Sequence, residues 1–291
     1  MVGVTRLGVV FLPQNPPERL RSIAQAADAA GLEELWLWED GFQESGIATG
    51  AATLAWTQYL RVGIGLLPVP LRNVALTAME LATMHRLFPG RVIVGVGHGV
   101  QRWMAQVGAN VESPMTLLRE QLAALPALLR GDQVTMAGRY VHLDEVRLGW
   151  PTTAQVYAGA NGPRSLRLSG ELAAGTVLTG GTTPDAVRTA RRLIAEGRAE
   201  GADAGEHHVV VYVHAATGPD AAERFEAERR RWGYDSMVDV GVIGDAAGIA
   251  RGIARWAEAG ADTVVLQPTP DDPDPVGFVR FVASEVRPLV P

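Results

Sequence analysis

LRVGIGLLPVPLRNVALTAMELATMHRLFPGRVIVGVGHGVQRWMAQVG, residues 60–108, holds a whole strand, loop, helix, strand, loop unit. Arg61 to Leu67 is an apolar run stopped by Pro68 and Pro70, since proline has no N–H to give a ladder. Asn73 can cap a helix. Ala75, Met79 and Ala82, with Ala78, Leu81 and Met84 beside them, then recur at helical spacing until Pro89-Gly90. Arg91 to Val96 is apolar without alternation, as in a parallel strand covered on both faces, and opens into a turn spaced by Gly95, Gly97 and Gly99. A helix joining parallel strands crosses over right-handed, so both strand C-termini meet on one edge. Ligands of parallel α/β folds bind at that edge.

Outward from this unit the pattern repeats. Before it, Thr5 to Phe11 is a strand, Asn15-Pro16-Pro17-Glu18 reads as a capping box opening a helix that Gly31 ends, Glu34 to Trp38 is the second strand, and Ala48 to Gln58 a helix. After it, Ser113-Pro114 opens a helix to Leu129 with Gly131 as its stop, and Val134 to Leu143 alternates around Gly138 as a hairpin. Strands follow at Gln155 to Ala158, Thr176 to Thr179, His208 to Ala215 and Asp262 to Leu266. Helices lie at Arg164 to Ala174, Pro184 to Ala199, Pro219 to Arg231, Asp245 to Ala259 and Val276 to Val286, and Gly233 to Gly244 is loosely patterned. Eight strands, each followed by helix, predict an α/β (β/α)8 TIM barrel spanning residues 1–291 as one domain, with a small hairpin insertion after the fourth helix. A doubly wound sheet is the runner-up; it leaves the eighth strand and the hairpin without a place.

Composition narrows the chemistry. The 291 residues are 47% hydrophobic and 20% charged, with no apolar run of the length a membrane helix needs and no signal-peptide pattern in MVGVTRLGVVFLP, so a cytoplasmic chain without a membrane partner is expected. A net charge of −6 with no basic stripe argues against nucleic acid. The chain has no cysteine, which removes disulfides, thiolate metal sites and cysteine nucleophiles. It also has no lysine, which removes Schiff-base chemistry and Walker-type phosphate loops. No His-x-His or His-Glu-x-x-His spacing suggests a catalytic metal, and Val100 breaks Gly-x-Gly-x-x-Gly with no helix clearly starting there.

Two loops suit an anion. Gly159, Ala160, Asn161 and Gly162 lead into a helix beginning at Pro163, with Arg164 beside it; Gly180, Gly181 and Thr182 repeat the device one unit later. Each alone also reads as a short turn with a helix cap. Glu39 and Asp40 leave the second strand at the same mouth, and because adjacent side chains diverge, one faces the cavity while the other caps a helix or meets solvent. His98, between two glycines, is a candidate proton donor or a surface histidine. Trp36, Trp38, Trp103 and Trp150 stand near strand ends, where they line a flat cofactor or fill a core; Trp103 shares a loop with His98.

WLWED at 36–40, ALTAMELATMHRLFPGRVIVGVGHG at 75–99, the LLREQLAALPALLRGDQVTMAGRYVHL block and GPRSLRLSGELAAGTVLTGG at 162–181 resemble the bacterial luciferase-like monooxygenase superfamily, especially its coenzyme F420-dependent branch. The resemblance covers nearly the whole chain. It implies a barrel whose mouth holds a 5-deazaflavin (coenzyme F420) or, alternatively, FMN, with the tail phosphate at Gly159 to Pro163 and at Gly180 to Thr182. It also implies a bulge with a non-proline cis peptide behind the ring, at Gly65-Leu66, with Gly97, His98 and Trp103 near the cofactor. Two departures stand out. Many relatives carry an acidic residue followed by histidine where this chain has Glu39-Asp40, and sugar-phosphate-oxidising members carry Glu and Asn where it has Val100 and Trp103.

The implied function is hydride transfer between F420 and a small organic substrate, with Asp40, His98 or Glu39 handling the proton. The alternatives are an FMN-dependent monooxygenase using O2 and a separate reductase, and a non-catalytic flavin-binding barrel. A homodimer is expected from the family's habit of covering an apolar helix face.

Overall fold

In the computed structural model, residues 5–201, 205–234 and 239–290 are described, so the ends of the expected 1–291 domain and part of the loose 233–244 stretch lie outside the described residues. The elements run β1 (Arg6–Val10), α1 (Leu20–Ala30), β2 (Glu34–Leu37), α2 (Gly46–Trp56), β3 (Arg61–Pro68), α3 (Val74–Leu87), β4 (Val92–Gly97), α4 (Gln101–Gln106) and α5 (Pro114–Arg130). They continue with β5 (Val134–Ala137), β6 (His142–Val146), β7 (Val156–Gly159), α6 (Pro163–Leu172), β8 (Gly175–Leu178), α7 (Pro184–Arg198), β9 (His208–Ala216), α8 (Ala221–Arg231), β10 (Gly241–Ile243), α9 (Ala246–Glu258), β11 (Thr263–Pro268) and α10 (Pro275–Phe281).

Strands β1, β2, β3, β4, β7, β8, β9 and β11 pair in parallel in that order, and β11 returns to β1, which closes an eight-stranded α/β barrel. Closure leaves no free edge. The antiparallel β5–β6 hairpin stands outside it, as the alternation of its residues predicts. In chain order the hairpin follows α5, because the six-residue α4 precedes it. A helix therefore does start just after the glycine turn, where no start signal is legible; six residues are too few for a periodic pattern. The short β10 continues the pairing of β9 beyond the end of β8, at His214–Ala216.

Two apolar layers hold the barrel. Leu7, Leu35, Leu37, Val62, Val94 and Val211 face the helices, while Val10, Trp36, Ile93, Val177, Val210 and Val265 fill the interior. Trp36 supplies most of the interior bulk, and glycines make room for it. A methyl group on Gly63 would overlap the indole, and one on Gly8 would lie 3.0 Å from it. The bottom of the barrel is polar but paired. Trp36 Nε1 donates to Glu34 at 2.9 Å, Arg61 bonds the same carboxylate at 2.8 Å, and His208 pairs with Thr263 at 2.8 Å.

Several expectations change. Asn15 does not cap α1: its Nδ2 donates to the Leu12 carbonyl and its Oδ1 accepts from Arg19, while a 3-10 turn at Pro17–Arg19 starts the helix. Pro68 does not stop β3, because the bulge between Gly65 and Leu67 shifts register and lets the strand run on to pair Pro68 with Gly97. Asn73 does cap α3, accepting from Ala75 N at 2.9 Å. Met79, however, is 58% exposed, and Val74, Thr77, Ala78, Leu81, Ala82 and Met84 form the buried face.

Candidate functional site

A cavity of about 620 Å³ opens at the C-terminal mouth of the barrel. Among the expected site residues, Glu39, Asp40, Gly65, Leu66, His98, Trp103, Gly159, Ala160, Asn161, Gly162 and Gly180 line it. Gly97, Pro163, Arg164, Gly181 and Thr182 do not. Pro163 and Arg164 are exposed at the start of α6. Gly181 is covered by the Tyr234 ring, and the Thr182 carbonyl accepts from Trp256 Nε1 at 2.8 Å, so of the second loop it is Gly180 that reaches the cavity.

Gly97 acts from beneath. A methyl on Gly95 or Gly97 would stand 2.8 or 2.6 Å from Leu66, and one on Gly159 would overlap Leu66 Cδ1. Three glycines on two neighbouring strands thus leave a slot into which Leu66 lies. The Gly65-Leu66 peptide is cis, as the resemblance implied, and so is Gly41-Phe42. From across the barrel, Tyr212 OH donates to the Gly65 carbonyl at 3.1 Å. The bulge is therefore held on both sides, with Leu66 forming an apolar floor.

Strand parity divides the acidic pair. Trp36, Trp38 and Asp40 point inward along β2 and its continuation, while Leu35, Leu37 and Glu39 point to the helices. Glu39 accepts from Arg72 Nη2 at 2.8 Å and from Gly46 N, at the start of α2, at 2.8 Å; Arg72 also reaches Glu80 at 3.3 Å. Though it touches the wall, Glu39 is committed to this ion pair, which explains its place better than proton transfer does. Asp40 has no such partner. Burial without a compensating donor raises its carboxyl to about 6.

His98 Nδ1 lies 3.2 Å from the Pro114 carbonyl. A carbonyl only accepts, so Nδ1 carries the proton and Nε2 is the free nitrogen. Desolvation lowers the His98 pKa, against the opposing pull of that carbonyl. Asp40 and His98, two of the groups with shifted protonation at the mouth, come from the ends of β2 and β4. Trp103 packs on the turn at Gly41, 3.4 Å from where a methyl would sit. Trp150 lies elsewhere, 73% exposed under the Arg86 guanidinium, and Trp36 is wholly in the core.

At the 159–162 loop, Ser165 Oγ accepts from Gly162 N at 3.2 Å and Asn161 Nδ2 donates to Thr179 Oγ1 at 2.9 Å, so the loop is shaped by side chains that themselves line the cavity. The wall also includes Trp38, Tyr212, His214, Trp232, Tyr234 and Gln267, which sequence reading did not single out as a group. His214 and Gln267 follow the inward parity of Tyr212 and Val265 by two residues, the signal that would have found them. Trp232 and Tyr234 follow α8 in a segment with no periodic pattern.

The model of a family described as luciferase-like monooxygenase matches residues 5–262. A 5,10-methylenetetrahydromethanopterin reductase of Methanolobus tindarius is 27% identical over 218 residues, covering 74% of this chain and 67% of its own. An F420-dependent glucose-6-phosphate dehydrogenase of Beutenbergia cavernae is 25% identical over 310 residues, covering 94% of this chain and 89% of its own. Among solved structures, an F420-dependent secondary alcohol dehydrogenase in complex with an F420-acetone adduct superposes with a TM-score of 0.85 at 22% identity, covering 99% of each chain.

Proposed function

The chain belongs to the luciferase-like monooxygenase family, and from that premise we propose that it is an F420-dependent oxidoreductase transferring hydride between the deazaflavin and a small organic substrate. The observation that carries this reading is the Leu66 floor. A side chain sunk into a slot of three glycines leaves a flat apolar shelf at the cavity bottom, with the Gly159–Gly162 loop at one end and Asp40 and His98 at the wall. A planar tricyclic ring with an anionic tail fits such a shelf, and about 620 Å³ leaves space for a substrate above it. The named relative from Beutenbergia cavernae supports F420 over FMN.

When bound, the deazaflavin supplies the hydride acceptor or donor. The protein's residues do the rest. The N-terminus of α6 and the backbone at Asn161 would hold the tail, with Ser165 and Thr179 fixing the loop through Gly162 N and the Asn161 side chain and Arg164 at its rim. Leu66 supports the ring, and Trp38 and Trp103 keep water away. Asp40 takes the substrate proton at its carboxylate in the oxidative direction and returns it in the other, while His98 Nε2 accepts a hydrogen bond from the substrate. Val100 at the mouth, in place of the acid of sugar-phosphate-oxidising members, favours a different substrate.

Titration of the purified protein with F420 and with FMN tests the reading. Tight F420 binding with weak FMN binding is expected; the reverse would favour the FMN-dependent monooxygenase, and binding without turnover by any donor the non-catalytic barrel. The proposal carries with it a cytoplasmic homodimer. Leu76, Met79 and Leu87, exposed by 47, 58 and 67%, form an outward apolar stripe on α3 that a second copy would cover.

A further inference from the structure

The residues used so far for the cofactor come from one arc of the mouth, the ends of β3, β4, β7 and β8. The opposite arc, from β9 and β11, is polar; its Tyr212 bonds the Gly65 carbonyl, whereas His214 and Gln267 make no such bond. His214 is 3% exposed, and neither of its ring nitrogens has a hydrogen-bond partner. Burial holds it neutral, with a pKa lowered to about 4, so it carries one donor and one acceptor, both unmatched. Gln267, 2% exposed, stands beside it, and no protein group among the described residues bonds its amide. The two converge under Gly180, where a methyl would lie 2.9 Å from His214 Nε2 and 3.1 Å from Gln267 Oε1. Tyr234 lies over the same spot, its OH donating to the Gly180 carbonyl at 3.0 Å and its ring 5.8 Å from that of His214.

Unmatched polar groups buried in a cavity wall carry a desolvation cost that a ligand offering complementary atoms removes. The charge of the cavity says which ligand. No arginine lines it among the described residues, the sequence has no lysine, and the ionisable acids on the wall are Glu39 and Asp40. A phosphate or carboxylate would find no counter-ion on this arc and, with Glu39 paired to Arg72, the unpartnered Asp40 carboxyl across it.

We propose that His214 and Gln267 form the substrate-orienting site, and that it selects an uncharged, flat organic substrate presenting a carbonyl beside an N–H or O–H. This rests on the cofactor occupying the other arc, as in the function proposed above. The two neutral side chains fix the orientation of the substrate, while Trp232 and Tyr234 cover its faces. Neither residue exchanges a proton with it; both set its position relative to Asp40.

Benzamide and benzoate, alike in shape and different in charge, are suitable probes. Isothermal titration at pH 7.5, with and without F420, is expected to give benzamide binding at least tenfold tighter than benzoate. Gln267→Leu and His214→Phe are each expected to weaken benzamide at least fivefold and leave F420 affinity within twofold. Gln267→Glu, which keeps size and polarity but replaces the amide N–H groups with a second acceptor, is expected to weaken benzamide as Gln267→Leu does, which separates recognition from packing. Equal binding of the two probes, benzamide binding unmoved by the variants, or no benzamide binding at all would overturn the proposal. Variants that instead lose F420 affinity would give the pair to the cofactor and also overturn it. If the wild-type protein fails to bind F420, the cofactor reading falls, while the benzamide arm without cofactor still judges this one.

Discussion

Asp40 and Glu39 are neighbours in sequence with opposite environments, and one residue of strand parity makes the difference. Asp40, raised to about 6 by burial, keeps its proton in the folded chain at pH values where the unfolded chain has released it. Its contribution to stability is therefore full below about pH 4 and is lost as pH rises through about 6. Asp40→Asn is expected to raise stability at pH 7.5 by about 1–2 kcal/mol, measured by denaturant unfolding, after discounting for partial exposure. The same change should lower oxidative turnover at least ~100-fold and abolish a rate inflection near pH 6, where the wild-type rate rises. Glu39→Gln should do the reverse. It breaks the largely buried pair with Arg72 and is expected to cost about 2–4 kcal/mol while leaving the pH inflection in place.

Among the elements, β3, β4 and β7 act together through Leu66. Glycine at 95, 97 and 159 reads in sequence as loop punctuation, yet in the folded chain each is the absence of a side chain beneath one leucine. Gly159→Ala is expected to leave the fold intact, because the atom it meets is the end of a flexible side chain. It should lift Leu66 into the cavity and weaken F420 binding by about tenfold, as a fluorescence titration would report. Gly63→Ala is a different case. Its methyl meets the ring of Trp36, which is wholly buried and pinned to Glu34, so the expected result is a loss of about 1–3 kcal/mol in thermal or denaturant unfolding. The slot was hidden in the sequence because its members lie on three strands whose register no periodicity specifies. Pro68 misled for a related reason: a bulge re-registers the strand so that the missing N–H falls where the ladder tolerates it.

For the molecule as a whole, barrel closure is what brings 40, 98, 161, 214 and 267 to one mouth. The bond from Tyr212 to the Gly65 carbonyl spans 147 positions of sequence. If α3 meets a second copy, Met79→Glu should convert the dimer to monomers in light scattering without lowering the melting temperature of the barrel. The sequence alone determined the eight-fold alternation of strand and helix, the hairpin set apart by its alternating polarity, the edge where loops gather and the glycine-rich turn at 159–162, because these depend on local periodicity and on glycine and proline chemistry. Only the tertiary structure decided which acid faces the cavity, that Tyr234 covers Gly181 while Trp256 bonds the Thr182 carbonyl, and that His214 and Gln267 stand together. Those outcomes depend on which distant side chains closure brings into contact, and a linear pattern carries no record of distance in space.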